Sequence, residues 1–448
     1  MSSGSCRSCS CSHNHAHDHS TPARTPGLGW IKALAGLALV GVIAASTIAM
    51  VTQPPTPSAP PSPPAAPAKP AQAQPSASPA SVDPAPAAGT IRHGLSEPIA
   101  KKPGTLRVAS YNLENLFAAA PAGTKTDPQS DAKEGDRDAQ PADPKPDAHL
   151  KALAEAIRRV NADVLACDEV ESLTTLTSFR DKYLADMGYQ YIVSLDSGDT
   201  RGIEQSVLSR YPLKDARVWP GLPLGGTHPE KWGRDANHEA GKPITYRRSP
   251  LRVTVEVPPP SGSPPDAKPY TLTLFAVHYK SGSPGGYWRE REAAKTIELV
   301  REVETENPAA NVVILGDFNA RPQEKPVRLF IDAGFTDAFG DLNLKDPKYI
   351  THASDRVIDH IILNRNAAPE LVKDTRFVLG TPQRASNADW RNTPPPPGYA
   401  SDHYPIVIDL LTTDQPVPQP APATSPAGAA PTAPPQPSAP PAKPAPRP

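Results

Sequence analysis

The sequence predicts an α+β domain or a layered sandwich, and three observations lead there. LRVTVEV (251–257) and YTLTLFAVHYK (270–280) alternate apolar and polar residues and are joined by a polar loop, the pattern of an antiparallel pair. Several other short apolar runs end in polar residues, as strands do when they deliver side chains to a rim. Helical periodicity is confined to a few segments, without the regular strand–helix alternation of a parallel sheet.

Composition sets the limits of that domain. The chain has 448 residues, and its 60 prolines crowd into segments flanking a central region. Residues 52–103 form an expected Pro/Ala-rich linker, and 413–448 a disordered Pro/Ala-rich tail. Such stretches bury too little apolar surface to offset the entropy of ordering. The folded domain is therefore expected over 104–412, near the size at which a single core stops growing. A formal net charge of −1 gives no whole-chain attraction to nucleic acid or membrane.

Residues 1–32 read as a disordered tail whose tract CRSCSCSHNHAHDH (6–19) holds three Cys and four His. Alternating His13, His15, His17 and His19 beside Cys6, Cys9 and Cys11 suit Zn, Ni or Cu, although zinc-finger spacing is absent. The plainer reading is a tail that binds metal adventitiously. Ala33–Val51 carries no charge and is long enough for a thin membrane span, or for a cleavable secretory signal. Arg7, Arg24 and Lys32 precede it, so the positive-inside rule places the domain on the extracytoplasmic side of a bacterial membrane, or secreted if the segment is cleaved.

Within the domain, TLRVASY (105–111) reads as a strand delivering Asn112 and Glu114. Ala118–Asp147, with seven Asp and Glu and scattered Pro, reads as a surface insertion. Leu150, Leu153, Ile157 and Val160 recur at helical spacing, so 149–160 is a helix. DVLACDEV (163–170) is strand-like and points Asp168 and Glu169 from its end, with Cys167 as a small buried hydrophobe. A helix over 173–186 and strands over 189–193 and 202–209 follow, the last turning Glu204 inward. A Gly-, Pro- and charge-rich connection (219–246) leads to the antiparallel pair, and His278 closes its second strand. Residues 287–304 form a charged helix with many opposite-charge neighbours. Asn311–Leu315 is a buried strand ending in Gly316-Asp317-Phe318-Asn319. Strands over 356–363 and 404–410 complete the set, carrying Asp359 and His360 and introduced by Ser401-Asp402-His403.

Each strand-end residue has an ordinary use as a turn former or a satisfied core group. Nine of them at separate strand ends make a stronger pattern: Asn112, Glu169, Glu204, His278, Asp317, Asn319, Asp359, Asp402 and His403. Carboxylates and carboxamides without thiolates suit Mg²⁺ or Mn²⁺, and two separated histidines fit acid–base work.

The motifs YNLENL (111–116), DEVE (168–171), GIEQSVLSR (202–210), VHYKS (277–281), GDFNA (316–320), RVIDHIIL (356–363) and SDHYPI (401–406) resemble those of the endonuclease/exonuclease/phosphatase superfamily. The resemblance covers 105–410 and implies a four-layered α/β sandwich, two mostly antiparallel sheets packed face to face and flanked by helices. It implies a divalent metal, Mg²⁺ or Mn²⁺, on Glu169 with Asn112 and Asp402. It also implies that Asp317 and Asn319 orient a nucleophilic water and a phosphate oxygen. His403 braced by Asp359 would act at the phosphate, and His278 partnered by Glu204 would be a second catalytic histidine that donates to the leaving group. Asp168 departs from the pattern, where a Gln commonly precedes the metal Glu.

The runs VHYKSGSPGGYWREREAAK (277–295) and YRRSPLRV (246–253) resemble bacterial extracellular nuclease-like members. Arg201, Arg248 and Lys280 are the expected phosphate-binding cations, with Arg247 and Arg289 near them. The expected protein is a monomeric metal-dependent phosphodiesterase acting on DNA or RNA, with no protein partner implied. A phospholipid or small-molecule phosphodiesterase and a non-catalytic envelope binding protein are the alternatives. No interleaved aromatic–basic patch and no helix-turn-helix or zinc finger is visible.

Overall fold

The computed structural model describes residues 89–118, 144–385, 388–389 and 392–417. The expected Cys/His tract, the apolar segment 33–51, most of both Pro-rich segments and residues 119–143 of the expected insertion lie outside them. The strands that build the two main sheets are β1 (Thr105–Leu116), β2 (Val164–Val170), β3 (Tyr191–Ser194), β4 (Glu204–Ser209), β5 (Leu213–Arg217), β6 (Leu251–Val257), β7 (Tyr270–His278), β8 (Asn311–Asp317), β9 (Thr336–Asp337), β10 (Asp359–Leu363), β11 (Phe377–Val378) and β12 (Ile406–Leu411). The helices are α1 (Asp147–Val160), α2 (Leu173–Tyr183), α3 (Gly286–Glu306) and α4 (Lys325–Asp332).

One sheet runs β11-β12-β1-β2-β4-β3 and the other β9-β10-β8-β7-β6-β5. Pairing is antiparallel except for one central parallel pair in each sheet, β1 with β2 and β7 with β8. Strand alternation explains the layers. Leu106 and Val108 of β1, Leu272 and Leu274 of β7, Val313 and Leu315 of β8 and Ile361 and Leu363 of β10 meet in one core between the sheets. Their alternates face outward. Ala109, Tyr111 and Leu165 pack beneath α1 and α2 with Leu153, Ile157 and Phe179. Phe275, Val312, Ile314 and Ile362 pack beneath α3 and α4 with Trp288, Val300, Val327 and Phe330. The fold is thus an α+β sandwich of two mostly antiparallel sheets flanked by helices, as expected.

Helix ends follow their sequences. Asp147 lies in the first turn of α1 and Arg158 and Arg159 in the last, each favourable to the helix dipole. Asn161 ends the helix in the left-handed region, its N–H donating to Ile157 O. Pro326 stands in the first turn of α4, a short helix that sequence periodicity had not revealed. β5 and two small hairpins inside 219–246 were also unexpected. The expected strands over 356–363 and 404–410 begin later, at Asp359 and Ile406, because Arg356–Ile358 and Tyr404 pair with the loop holding Thr351 instead. Residues before 104 also pack on this body, Leu95 N–H donating to Val378 O at 2.8 Å and Lys101 pairing with Asp163.

Among the described residues no helix is long and apolar enough to cross a membrane. The longest helix, α3, has 21 residues but carries Arg289, Glu290, Arg291, Glu292 and Lys295, while the long apolar runs are strands. The expectations of a transmembrane anchor, of the membrane as a partner and of placement at a bacterial cell membrane are corrected on that finding. The segment 33–51 on which they rested is outside the described residues.

Gly316 is the position where two strands demand glycine. Its φ is +141°, and a Cβ there would lie 1.9 Å from Val277 O on the paired strand β7. No flexible side chain can yield, because the clash is with backbone. Gly316→Ala should lower stability by about 3 kcal/mol, the upper end for overpacked sites. Urea unfolding within 1 kcal/mol of wild type, on the order of experimental error for such work, would refute the assignment.

Candidate active site

The inner face of the sandwich changes character at one end. Following the core residues, the next inward positions are Asn112 on β1, Asp168 on β2, His278 on β7 and Asp317 on β8. The antiparallel neighbours enter at that same end, so Asp359 opens β10 and His403 precedes β12. Registry places His278 beside Asp317 and Asp317 beside Asp359 across three adjacent strands. Asn112, Asp168, His278, Asp317, Asp359 and His403 are all buried. A packed sheet interior ending in six polar groups is a costly arrangement unless those groups satisfy each other or a ligand.

Asp317 is the hub. Its Oδ1 accepts from Asn319 N–H at 2.7 Å, and its Oδ2 from Asn319 Nδ2 at 2.9 Å and Asn112 Nδ2 at 3.4 Å. Its own N–H donates to Asp168 Oδ2 at 3.0 Å. Burial raises the Asp317 carboxyl to about 7, with Asp359 adding to the rise and His403 opposing it. Asp168 is pushed well above the usual carboxylate range by burial and by Asp317, and its Oδ1 is buried without a partner.

His403 Nδ1 donates to both oxygens of Asp359, at 2.9 and 3.0 Å, and its Nε2 stands 3.7 Å from Asp317 Oδ2. Burial opposes its charge, but Asp359 and Asp317 outweigh that and hold His403 well above the ordinary histidine range. The backbone N–H of His403 donates to Ser401 Oγ at 3.1 Å, and that hydroxyl donates to Asn112 O at 2.8 Å. This couples the first and last motifs of the domain.

His278 sits in a different field. Its Nε2 accepts from Arg248 at 2.9 Å and lies 3.6 Å from Glu169 Oε1 and 3.7 Å from Asp317 Oδ2. Burial and then Arg248 push it well below the ordinary range, so the ring is neutral, with Nδ1 buried and unpartnered. Glu204 does not reach it. The Glu204 carboxylate accepts from Ser194 Oγ, on the side of the sheet where Ser194 also meets Ser206 at 2.7 Å. The expected His278–Glu204 pair is therefore not formed among the described contacts, and the partner expected to charge His278 is replaced by a guanidinium that discharges it.

Glu169 should face away from Asp168 by alternation. It reaches the site because its φ is +62° and the β2–β4 register shifts between Cys167 and Val170. The bulge turns both carboxylates to one side. Asn319 also has positive φ, +47°, where the chain leaves β8. Such backbone in non-glycine residues costs energy and clusters at functional sites.

Arg201 pairs with Glu169 at 3.5 Å and with Asp199 at 3.7 Å, and Arg248 Nε also pairs with Asp199. Asp199, Arg201, Arg247, Arg248, Lys280 and Glu292 line one small cavity beside His278. Lys280 packs its ammonium 5.6 Å from the Trp232 ring centroid. Burial raises the Glu292 carboxyl to about 7, against the opposing pull of the Lys280 backbone N–H and of Arg248. On the other flank, Glu114 is ringed by Lys145 at 3.6 Å, His149 at 3.8 Å and Arg384 at 3.6 Å, with Tyr399 donating at 3.0 Å. Asp199, Glu292, Lys145, His149 and Arg384 were not anticipated. Only the charge of Asp199 two residues before Arg201 offered a signal, because the others lie on helices or loops whose approach is set by tertiary packing.

Among the described residues, two groups of three side chains could each hold a metal ion: Asp317, Asp359 and His403, and His352, Asp402 and His403. Asp402 lies 3.4 Å from His352 and is held below the usual carboxylate range despite burial, first by His352 and then by His403. Glu169 belongs to neither group.

A model of the Endonuclease/Exonuclease/phosphatase family matches residues 109–403. Solved structures that match the chain include the human Nocturnin catalytic domain with bound sulfate, at 14% identity and TM-score 0.42, covering 70% of this chain and 95% of that one. A mannosyl-6-phosphatase from Bacteroides thetaiotaomicron matches at 16% identity and TM-score 0.40, covering 68% and 99%. An endonuclease/exonuclease/phosphatase from Beutenbergia cavernae matches at 19% and 0.39, covering 68% and 71%. No curated protein matches the chain.

Proposed function

We propose a phosphodiesterase acting on nucleic acid, and the premise is plain: the chain belongs to the Endonuclease/Exonuclease/phosphatase family. Family membership and the two metal-competent clusters support metal-dependent phosphoester hydrolysis as a class. The observation that carries the finer reading is the buried set Asp317–Asp359–His403, with Asn112 and Asn319 bonded to Asp317.

In this reading Asp317 orients and deprotonates the attacking water. Its carboxyl is already held by two amide groups and raised toward neutrality, which suits it to accept a proton near pH 7. His403, charged and locked by Asp359, presents Nε2–H to the phosphate and stabilises charge that grows in the transition state. Asn319 fixes Asp317 and lies beside it at the rim. His278, neutral and accepting from Arg248 at the Nε2 that faces Glu169 and Asp317, positions that guanidinium beside them in place of the charged acid expected from sequence. Glu204 has no part in it and supports Ser194.

The donors fit a hard divalent cation. Five carboxylates, Asp168, Glu169, Asp317, Asp359 and Asp402, crowd this end of the sandwich, and two of them are pushed up by their neighbours' charge as well as by burial. Mg²⁺ or Mn²⁺ would be held by Glu169, Asp402 and Asn112, and when bound it supplies charge neutralisation at a phosphate oxygen. Residues 104–412 make up the proposed catalytic domain. Arg201, Arg248 and Lys280 favour a nucleic-acid strand, in line with the nuclease-like motifs around them, because they bring cations to one cavity next to His278.

The test is a substrate panel: plasmid DNA, RNA, bis-p-nitrophenyl phosphate, a choline phospholipid and a sugar phosphate, each with EDTA and with added Mg²⁺ or Mn²⁺. The expected result is nucleic-acid hydrolysis abolished by EDTA and restored by either cation. Turnover indifferent to chelation would remove the metal, and lipid or sugar phosphate turning over far faster than nucleic acid would reverse the substrate.

A further inference from the structure

His352 has no part in the hydrolysis proposed above, yet it completes a compact group of ligands. The chain pairs with itself at His352 and His403. Ala353 N–H donates to Asp402 O at 2.7 Å and Tyr404 N–H to Thr351 O at 2.8 Å, so the three side chains stand on a fixed backbone. His352 Nε2 is 3.4 Å from Asp402 Oδ2, and the rings of His352 and His403 meet edge to face with centroids 4.5 Å apart. One ligand atom from each of the three lies within 4.8 Å of the others. Two ligands at about 2.0–2.1 Å from a tetrahedral zinc stand about 3.3–3.4 Å apart. The His352–Asp402 edge already has that length.

The remote nitrogen of each ring is also held. His403 Nδ1 donates to Asp359, and His352 Nδ1 lies 2.6 Å from Ser354 Oγ and 3.0 Å from Ser354 N. Such partners fix an imidazole so that its other nitrogen can ligate. Without a cation, His352 Nδ1 accepts from Ser354 N–H and Nε2–H donates to Asp402. On ligation the ring proton moves to Nδ1, where Ser354 Oγ accepts it, and the His403 Nε2 proton is released to solvent. Two imidazoles and one carboxylate suit a borderline cation far better than Mg²⁺, which asks for oxygen.

We propose that His352, Asp402 and His403 form a site for a borderline divalent cation, zinc above all, sharing only Asp402 with the hard-cation donors. A cation there occupies Nε2 of His403, so zinc represses the hydrolysis. The binding half stands by itself; the repression half rests on the function proposed above.

Cobalt(II) is the probe, read by its visible absorption in titrations of the full-length protein, of His352→Ala and of His352→Gln. The glutamine keeps a donor toward Asp402 while removing the imidazole, and thermal unfolding checks that each variant is folded. The tract 6–19 is common to all three proteins, so the difference between titrations reports the triad. Both variants should bind cobalt at least about tenfold more weakly. Superimposable titrations overturn the site. In the second arm, zinc is added to the Mg²⁺-supported reaction, and His352→Gln should need at least about tenfold more zinc for half-repression. Equal zinc sensitivity overturns the repression. Wild-type protein without any hydrolysis overturns the proposed function instead, and the cobalt titration still decides the site.

Discussion

Asp317→Asn should lower kcat by about 10²–10⁴ while leaving the fold intact, the range for losing a general base. The substitution keeps an acceptor for Asn319 N–H, so the 2.7 Å bond that shapes the turn survives. What disappears is the charge that His403 Nε2 faces at 3.7 Å and, with it, the proton acceptor proposed above. Losing that carboxylate also lowers the pull that keeps His403 protonated, since Asp317 is its second carboxylate support after Asp359. Steady-state kinetics on bis-p-nitrophenyl phosphate with saturating Mn²⁺ and a thermal melt decide the matter together. Unchanged kcat in a folded variant would rule out Asp317 as base.

Asp409→Ala should destabilise the domain by about 3–5 kcal/mol, the loss typical when one partner of a buried ion pair is removed. Arg107 on β1 and Asp409 on β12 are both buried, and the guanidinium meets the carboxylate twice, Nε to Oδ1 at 2.7 Å and Nη2 to Oδ2 at 3.2 Å. Arg107 also packs over the Phe377 ring at 5.4 Å. Alanine would strand the guanidinium with only Val160 O at 3.3 Å. Urea unfolding measures the loss, and Arg107→Met combined with Asp409→Leu should recover most of it, because no charge then remains buried. A single mutant within 1 kcal/mol of wild type, on the order of typical error, would mean that water reaches the pair.

The strand-end residues were legible in the sequence because apolar runs with period two announce themselves, and the polar residue that ends each run is conspicuous. Asn112, His278, Asp317 and Asp359 fall on the inner face by simple alternation from Val108, Ala276, Leu315 and Ile361. Alternation also held the answer for Glu204: Val207 faces the inner core, so Glu204 lies with Ser206 on the other face. Glu169 was harder, because a bulge and a positive φ overrule the alternation, and neither is visible in DVLACDEV. The state of His278 was hidden too. Its nearest charged partner, Arg248, is thirty residues away, just ahead of β6, and no spacing rule couples the two. Helix α4 is short enough that its apolar spacing carries little signal, and the small hairpins of 219–246 follow no repeat.

The pairing of β12 with β1 has a consequence for the order in which the protein comes into being. Asn112 leaves the ribosome about 290 residues before His403, as their 291-residue separation in the numbering requires. Ser401 bonds to the Asn112 backbone, and Asp359 waits for His403 until β12 has added itself beside β1. A nascent chain can therefore hold a nearly complete hydrophobic interior and still lack the imidazole. Phosphoester chemistry therefore begins only with this last strand, so truncated or stalled chains are silent.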